Sequence, residues 1–332
     1  MTKWMPRALA GLMLATALAG CNSAAEEAAK PVCDRDCLVK LTQAYVSGIE
    51  KNSVEGVPFS DDVVIVENLK RIRQGEGLWA DATGAGTDFG VIVPDEARQT
   101  AGWLGMVERD GKPAIVAIRL KLDPRGSIVE AEHLYSDVSN ESQLAQLQTV
   151  RPGLLADVPE ANRKDHDELI KIGASYYPAL DDNDGTLMPF AADCERHENG
   201  MITAGANAGP GPNANTAPIA RDCAGQLSSK VMSYITSIDN RRVFAADPQT
   251  GLVMGLSHFH HPMDFEPYEV TALDGTKIKY DKSRLPFDPF DLPAAHIFKI
   301  GADGRVHEIE AMGFLAPLNS PTGWEGTQTA AK

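Results

Sequence analysis

The chain repeats itself, and an internal repeat limits what it can fold into more tightly than any local pattern. Moved by 131 residues, residues 38–68 lie on 169–199 without a gap and with nine identities in 31 positions. These are Leu38 on Leu169, Lys40 on Lys171, Tyr45 on Tyr176, Asn52 on Asn183, Pro58 on Pro189, Phe59 on Phe190, Asp62 on Asp193, Glu67 on Glu198 and Asn68 on Asn199. A second match, GSIVEAE at 126–132 against GRVHEIE at 304–310, needs a move of 178. The second copy has therefore gained 47 residues between the two anchors, most of them expected in the Gly- and Asn-rich stretch 203–218 and in 262–293. This predicts two domains of one fold, 33–150 and 151–318, with a flexible tail over 319–332.

Each copy opens on apolar residues three and four apart, which predicts an amphipathic helix: Leu38, Leu41, Tyr45 and Ile49, then Leu169, Ile172, Tyr176 and Leu180. The breaker-rich turn DDNDG at 181–185 stops the second helix, and Pro-Phe leads into a strand at 63–67 or 194–198. Later strands are expected at 90–93, 103–108 and 114–122, at 242–245, 252–259 and 296–300, and in each closing Glu-rich segment. Helix first, then strands joined by short turns, argues for an α+β domain with helices packed on a curved antiparallel sheet.

Lys3 and Arg7 precede an uncharged apolar stretch from Ala8 to Gly20. About thirteen residues are too few to span a bilayer, which takes about twenty, so residues 1–20 are expected to be a signal peptide and not a membrane span. The stretch ends on Leu18, Ala19, Gly20 and Cys21, which resembles the bacterial lipobox, where cleavage precedes a diacylated cysteine. Asn22 after that cysteine favours the outer membrane, with 21–32 as a tether on its periplasmic face. Without Lys3 and Arg7, 29 basic residues face 46 acidic ones, a net charge of about −17, and no basic run or patch is present. Nucleic acid is therefore a poor partner. With Cys21 lipidated, four cysteines remain for an oxidising compartment, and three pairings are open. Cys33 with Cys37 and Cys194 with Cys223 is favoured, because each pair stays inside one copy and the second clips the Gly/Asn-rich loop. No C-x-x-C pair points to zinc.

The order of elements, with Asp193, Cys194, Glu195, Arg196, His197, Glu198, Asn199 and Gly200 after an opening helix, resembles the SnoaL-like branch of the nuclear transport factor 2-like superfamily over 33–140 and 163–314. The resemblance implies two tandem cones, each open at one end to an apolar small-molecule ligand. It also implies acid–base chemistry without cofactor or metal, as in the lyases, isomerases, cyclases and dehydratases of that superfamily. Other members only bind or dimerise, so the alternative is a non-enzymatic ligand-binding or interaction lipoprotein, and a homo-oligomer is compatible with either. The tyrosine and aspartate constellation of ketosteroid isomerase has no match in this sequence.

The second copy is the richer in groups that move protons. On a strand starting at Leu252, the side chains of Leu252, Met254, Leu256, His258 and His260 point one way, and two histidines ending an apolar stripe suggest a pocket mouth. On the opening strand Arg196 and Glu198 share one face, His197 and Asn199 the other, and only one face can line a cone. Arg196 and His197 replace Ile65 and Val66, whereas the Glu and Asn recur in both copies and look structural. A buried Glu198 could still act as general acid or base. His258-x-His260 with a carboxylate is a rival metal-binding reading, though no metal is expected. The leading expectation is a cofactor-independent lyase, isomerase or dehydratase for a hydrophobic, aromatic small molecule. His197, His258, His260, Arg196 and Glu198 would be its catalytic group and Tyr176 and Asn199 its substrate contacts, while the first domain, lacking those histidines, would be scaffold. Carbon–carbon cleavage of a lignin-derived aromatic with loss of formaldehyde is a narrower expectation, resting on the resemblance alone.

Overall fold

A computed structural model describes residues 1–2, 32–208 and 222–325. Cys21, the signal stretch around it and part of the first insertion lie outside the described residues. The first copy runs α1 (Arg35–Glu50), β1 (Phe59–Glu67), β2 (Lys70–Ile72), α2 (Leu78–Asp81), β3 (Ala82–Asp95), β4 (Thr100–Arg109), β5 (Lys112–Leu122) and β6 (Ile128–Asp137). Two short helices, α3 (Glu141–Gln146) and α4 (Pro152–Leu155), lead to the second copy. There α5 (His166–Ala174) and α6 (Tyr176–Asp181) precede β7 (Phe190–Glu198), β8 (Met201–Ala204), α7 (Cys223–Ser228), β9 (Ser237–Asp247) and β10 (Leu252–His261). The chain then forms β11 (Tyr268–Thr271), β12 (Lys277–Tyr280), β13 (Phe290–Ile300) and β14 (Val306–Gly313).

The opening helix starts where the Asp34 side chain accepts from the Cys37 N–H, and it buries Leu38, Tyr45 and Ile49 as their spacing predicts. Its counterpart is broken between α5 and α6, since Pro178 has no N–H to offer the Ala174 carbonyl. Both sheets share one topology, β2-β1-β6-β5-β4-β3 and β8-β7-β14-β13-β10-β9. They are mixed, not antiparallel throughout: after the helix the opening strand returns beside the closing strand and runs parallel to it, β1 with β6 and β7 with β14. The parallel registers are the same in both copies. Ile65, Val66 and Glu67 face Ala131, Glu132 and His133, and Arg196, His197 and Glu198 face Ile309, Glu310 and Ala311. The turns that follow also agree. Asn68 and Asn199 sit at φ 40° and 46°, a left-handed backbone that asparagine tolerates. Each donates its side-chain N–H to the carbonyl of Tyr135 or Gly313 and accepts that residue's N–H.

The added residues fall in two places, between β8 and β9 and where the Asp110-Gly111 turn of the first copy becomes 262–289, which carries the β11–β12 hairpin. Disulfides join Cys33 to Cys37 and Cys194 to Cys223, with Cα separations of 5.2 and 5.9 Å. The second ties β7 to α7 across the first insertion.

Three apolar layers stack. The first cone is filled by Tyr45, Ile49, Ile65, Trp79 and Ile118 with their neighbours, and the second by Tyr176, Tyr177, Leu180, Phe259 and Phe298 with theirs. Between them the sheets pack back to back, Val91, Leu104 and Met106 against Phe244, Met254 and Ile297. This packing is reciprocal. Arg35, at the start of α1, donates to Asp247 at the end of β9 (2.9 Å), while its counterpart His166 lies 2.8 Å from Asp95, the counterpart of Asp247 at the end of β3. Gly102 meets its own counterpart, Met254, so closely that a Cβ on Gly102 would lie 2.3 Å from the Met254 sulfur. Contacts in which i meets j and j meets i are those of a two-fold interface, here inside one chain. The described part of the tail expected to be flexible is held down, with Arg71 donating to the carbonyls of Gly323 (3.0 Å) and Glu325 (2.7 Å).

Candidate functional site

Side chains alternate across each strand, so the cross-strand rows of the second sheet decide what its cone can use. Met254, Ile297, Glu310 and His197 form one row, and it faces the other domain. Gly255, His296, Ala311 and Glu198 form the next, and it faces the cone. Arg196 and Glu198 therefore line the cone, and His197 does not. The stripe Leu252, Met254, Leu256 packs on the first sheet, and His258 and His260 end that same back face. This corrects the expectation that His197, His258 and His260 act with Arg196 and Glu198. His197 and His258 stand three strands and four residues apart, roughly 20 Å at a strand spacing of about 4.8 Å and a rise of about 3.4 Å per residue. Their partners are local carboxylates: His197 Nε2 is 2.7 Å from Glu195, and Asp291 lies 2.7 Å from His260 Nδ1 and 3.1 Å from His258 Nε2. Among the described residues no group of three or more His, Cys, Asp or Glu is placed to hold a metal ion. Asn199 has both ends of its amide on Gly313 and does not line the cavity of the cone, so the expected substrate contact serves the turn.

Inside the cone, Arg196 ties the corner together. Its Nε donates to the Tyr176 hydroxyl at 2.9 Å, Nη1 to Thr203 Oγ1 at 2.7 Å and Nη2 to Glu198 at 2.8 Å. Beside it lies a cavity of about 60 Å³ walled by Arg196, Glu198, Tyr234, Phe259, His261 and His296 among others. His261 and His296 were not among the expected site residues; they belong to the opposite alternation from His258 and His260. Burial lowers both, His261 to about 4 and His296, with the Arg196 charge adding to the effect, to about 3. Both are thus neutral at pH 7, and the Nδ1 of each is buried without a hydrogen-bond partner. The insertions close the mouth. The Tyr234 ring lies 5.6 Å from His261 and 6.4 Å from Phe265, and Phe290 stacks on His261 at 4.2 Å. Burial, with Glu198 nearby, pushes the Tyr234 phenol up to about 12.

The first cone keeps the same corner residues and bridges them differently. The Tyr45 hydroxyl is 2.8 Å from His133 Nε2, and His133 Nδ1 is 3.0 Å from Glu67, which also accepts the Leu78 N–H at 3.0 Å. His133, on β6, stands where the second copy has Ala311, so the first domain does not lack a cone histidine. Trp79, 5.1 Å from Tyr45 edge to face, stands on α2 between β2 and β3, the place in the chain where the second copy carries its first insertion.

A wider groove of about 500 Å³ runs along the back of the second sheet between Arg151, Asp157, Glu195, Lys299, His307 and Glu308. Its cations have partners, although Arg151 Nη1 is buried without one. Arg151 donates to Glu308 and Glu310, each at 2.7 Å, and Lys299 to the carbonyls of Ala156 and Thr250. The cone is the better candidate, because His261 and His296, each with a buried unpartnered Nδ1, line one small cavity together with Arg196. A comparison with curated proteins finds no match for the chain. Residues 162–313, which span the second cone with both insertions, match the family model described as a domain of unknown function (DUF8021).

Proposed function

We propose that the second cone is a cofactor-independent acid–base site, a lyase, isomerase or dehydratase for a hydrophobic, aromatic small molecule, and that the first cone is scaffold. The observation that carries this reading is the cavity wall, where one buried guanidinium and two neutral imidazoles with free Nδ1 atoms sit among Leu180, Ile235 and Phe259. Arg196 is held in position before reaction and would stabilise an oxygen that gains negative charge. Glu198, at the cavity and partly open to water, would take up and return the proton. His261 and His296 are too weakly basic at pH 7 for that step and would orient the substrate by hydrogen bonds. Two cones of one topology support the SnoaL-like reading, and a formaldehyde-releasing cleavage of a lignin-derived aromatic is its narrowest form, by analogy.

Incubating the full chain with a panel of lignin-derived diaryl alcohols, and following formaldehyde and ultraviolet absorbance, tests it. Turnover should be present in the native protein and absent in Arg196→Met. Turnover that survives Arg196→Met but is lost in His258→Ala would move the site to the back face. The small size of the closed cavity favours a second reading, a non-enzymatic binding lipoprotein, and ligands that raise Tm without any turnover would select it. We also assign the chain to the periplasmic face of the outer membrane through lipid on Cys21. Two disulfides fit an oxidising compartment, and no helix among the described residues is long and apolar enough to cross a membrane. Radiolabelled palmitate should enter the protein in a bacterial host and fail to enter Cys21→Ser.

A further inference from the structure

In the second cone a cation and its counter-ion are held unequally. The Arg196 side chain is 6% exposed and is fixed by Tyr176 and Thr203 as well as by Glu198. Glu198 is 32% exposed, and among the described residues its hydrogen-bond partner is Nη2 of Arg196. A buried guanidinium left without an anion is strongly unfavourable, so the site needs a carboxylate beside Arg196. The carboxylate is held by one side-chain partner and borders water, whereas the guanidinium is buried and held by three. The first domain shows the contrast: Glu67, 6% exposed, is fixed by the Leu78 N–H and by His133.

We infer that Glu198 is an exchangeable counter-ion and that the ligand of the second cone is an aromatic acid whose carboxylate replaces Glu198 on Arg196. This rests on the second, binding reading of the cone given above, in which Arg196 and Glu198 hold the ligand and carry out no acid–base step. Three further observations agree with it. His261 and His296 reach the same cavity with unpartnered Nδ1 atoms and, being neutral, can serve the ligand's polar groups without competing for its charge. The apolar wall of Leu180, Ile235 and Phe259 suits the ring. A volume of about 60 Å³ admits a carboxylate but no benzene ring, so a bound ring requires the wall to give way, and Tyr234, on the insertion that the first cone lacks, is the aromatic ring of that wall which the insertion supplies.

Titration calorimetry on the full chain with benzoate and with benzamide, a neutral probe of nearly equal size, tests the inference in the native protein and in Glu198→Gln. Benzoate should bind at least tenfold more tightly than benzamide. Removing the internal competitor in Glu198→Gln should strengthen benzoate about tenfold and leave benzamide within twofold. Should Glu198→Gln fail to fold, Glu198→Ala gives the same comparison. Benzamide binding as well as benzoate, or benzoate weakened in the Glu198 variants, would overturn the inference while leaving the cone a ligand site. If neither probe binds any of these proteins, the ligand-binding reading fails and this inference falls with it.

Discussion

The two cones start from the same tyrosine, glutamate and asparagine and finish as different objects. In the first, His133 reaches from β6 to join Tyr45 to Glu67, and Leu78 and Trp79 seal the space above them. In the second, Arg196 reaches from β7 to join Tyr176 to Glu198, and a cavity remains under the inserted loop. A bridging group on the neighbouring strand and a tryptophan in place of an insertion turn one scaffold into a sealed core or one that keeps a small cavity. Polar residues shared by the two copies therefore say little about function, whereas the way each copy partners them says a good deal.

The contrast is most easily broken at the seal. Trp79→Ala should cost about 4 kcal/mol of stability, as removal of a fully buried tryptophan does, and should open the first cone to a small arene such as benzene, detectable as a rise in Tm. Loss of stability without arene binding would mean that more than one side chain separates the two cones.

The back faces differ almost as strongly. Glu132 accepts two hydrogen bonds from Arg242, at 2.8 and 2.6 Å; burial would raise it, but the Arg242 and Arg119 charges outweigh burial and hold it below the usual carboxylate range. Glu310, in the same place on the second sheet, has one Arg151 contact and an unpartnered oxygen, and burial pushes it up to about 7 against the pull of Arg151. Its folded-state value is raised, so its contribution is fully present below about pH 4.5 and is lost as pH rises through 7. Glu310→Gln should therefore gain about 3 kcal/mol relative to the native protein between pH 4.5 and pH 8 in urea unfolding. Glu132→Gln should be destabilising at both. A flat pH difference for Glu310→Gln would show that the carboxylate is ionised in the fold.

Matched variants of the shared glutamate sharpen the comparison further. Glu67→Gln and Glu198→Gln should each cost about 2 kcal/mol, the first because a neutral amide oxygen accepts from Leu78 and His133 more weakly than the carboxylate does, the second because the buried Arg196 loses its anion, and added benzoate should restore the second alone. Benzoate that restored both variants, or neither, would remove the distinction between a fixed and an exchangeable carboxylate. The smallest effect should be a symmetric one: Asn68→Ala and Asn199→Ala are each expected to lose about 1 kcal/mol and to agree within about 0.5 kcal/mol, because the two asparagines make the same pair of backbone bonds.

Much of the scaffold is legible in the sequence because both copies obey one alignment. The moves of 131 and 178 that match Tyr45 to Tyr176 and Glu132 to Glu310 are the same moves that relate the parallel registers of the two sheets. The site is less legible, and the reason is packing. With its back against the sister sheet, β10 is buried on both faces, so Leu252, Met254 and Leu256 form an apolar stripe although they look away from the cone. Hydropathy cannot tell the two faces apart there, and the choice of His258 and His260 over His261 and His296 follows from that. His133 was hidden for another reason. It stands on the closing strand, and its importance shows only when the register puts it beside Glu67. Sequence alternation did separate Arg196 and Glu198 from His197; what it could not supply was which of the two faces looks inward.

The meeting of Gly102 with Met254 has a consequence for which chains can pair. In a true homodimer a residue on the axis meets a copy of itself, so a knob would strike a knob and a hole would face a hole. Here duplication within one polypeptide has let the two axial positions part, one losing its side chain and the other gaining a long one that fills the space. The first half is thereby fitted to the second at this point. Two such halves exchanged between neighbouring molecules would still be matched hand to glove, but two first halves would leave a void between their sheets and two second halves would collide. A difference in side-chain size at the centre thus adds to the charged pairs around it, Arg35 with Asp247 and Arg242 with Glu132, in matching one half to the other.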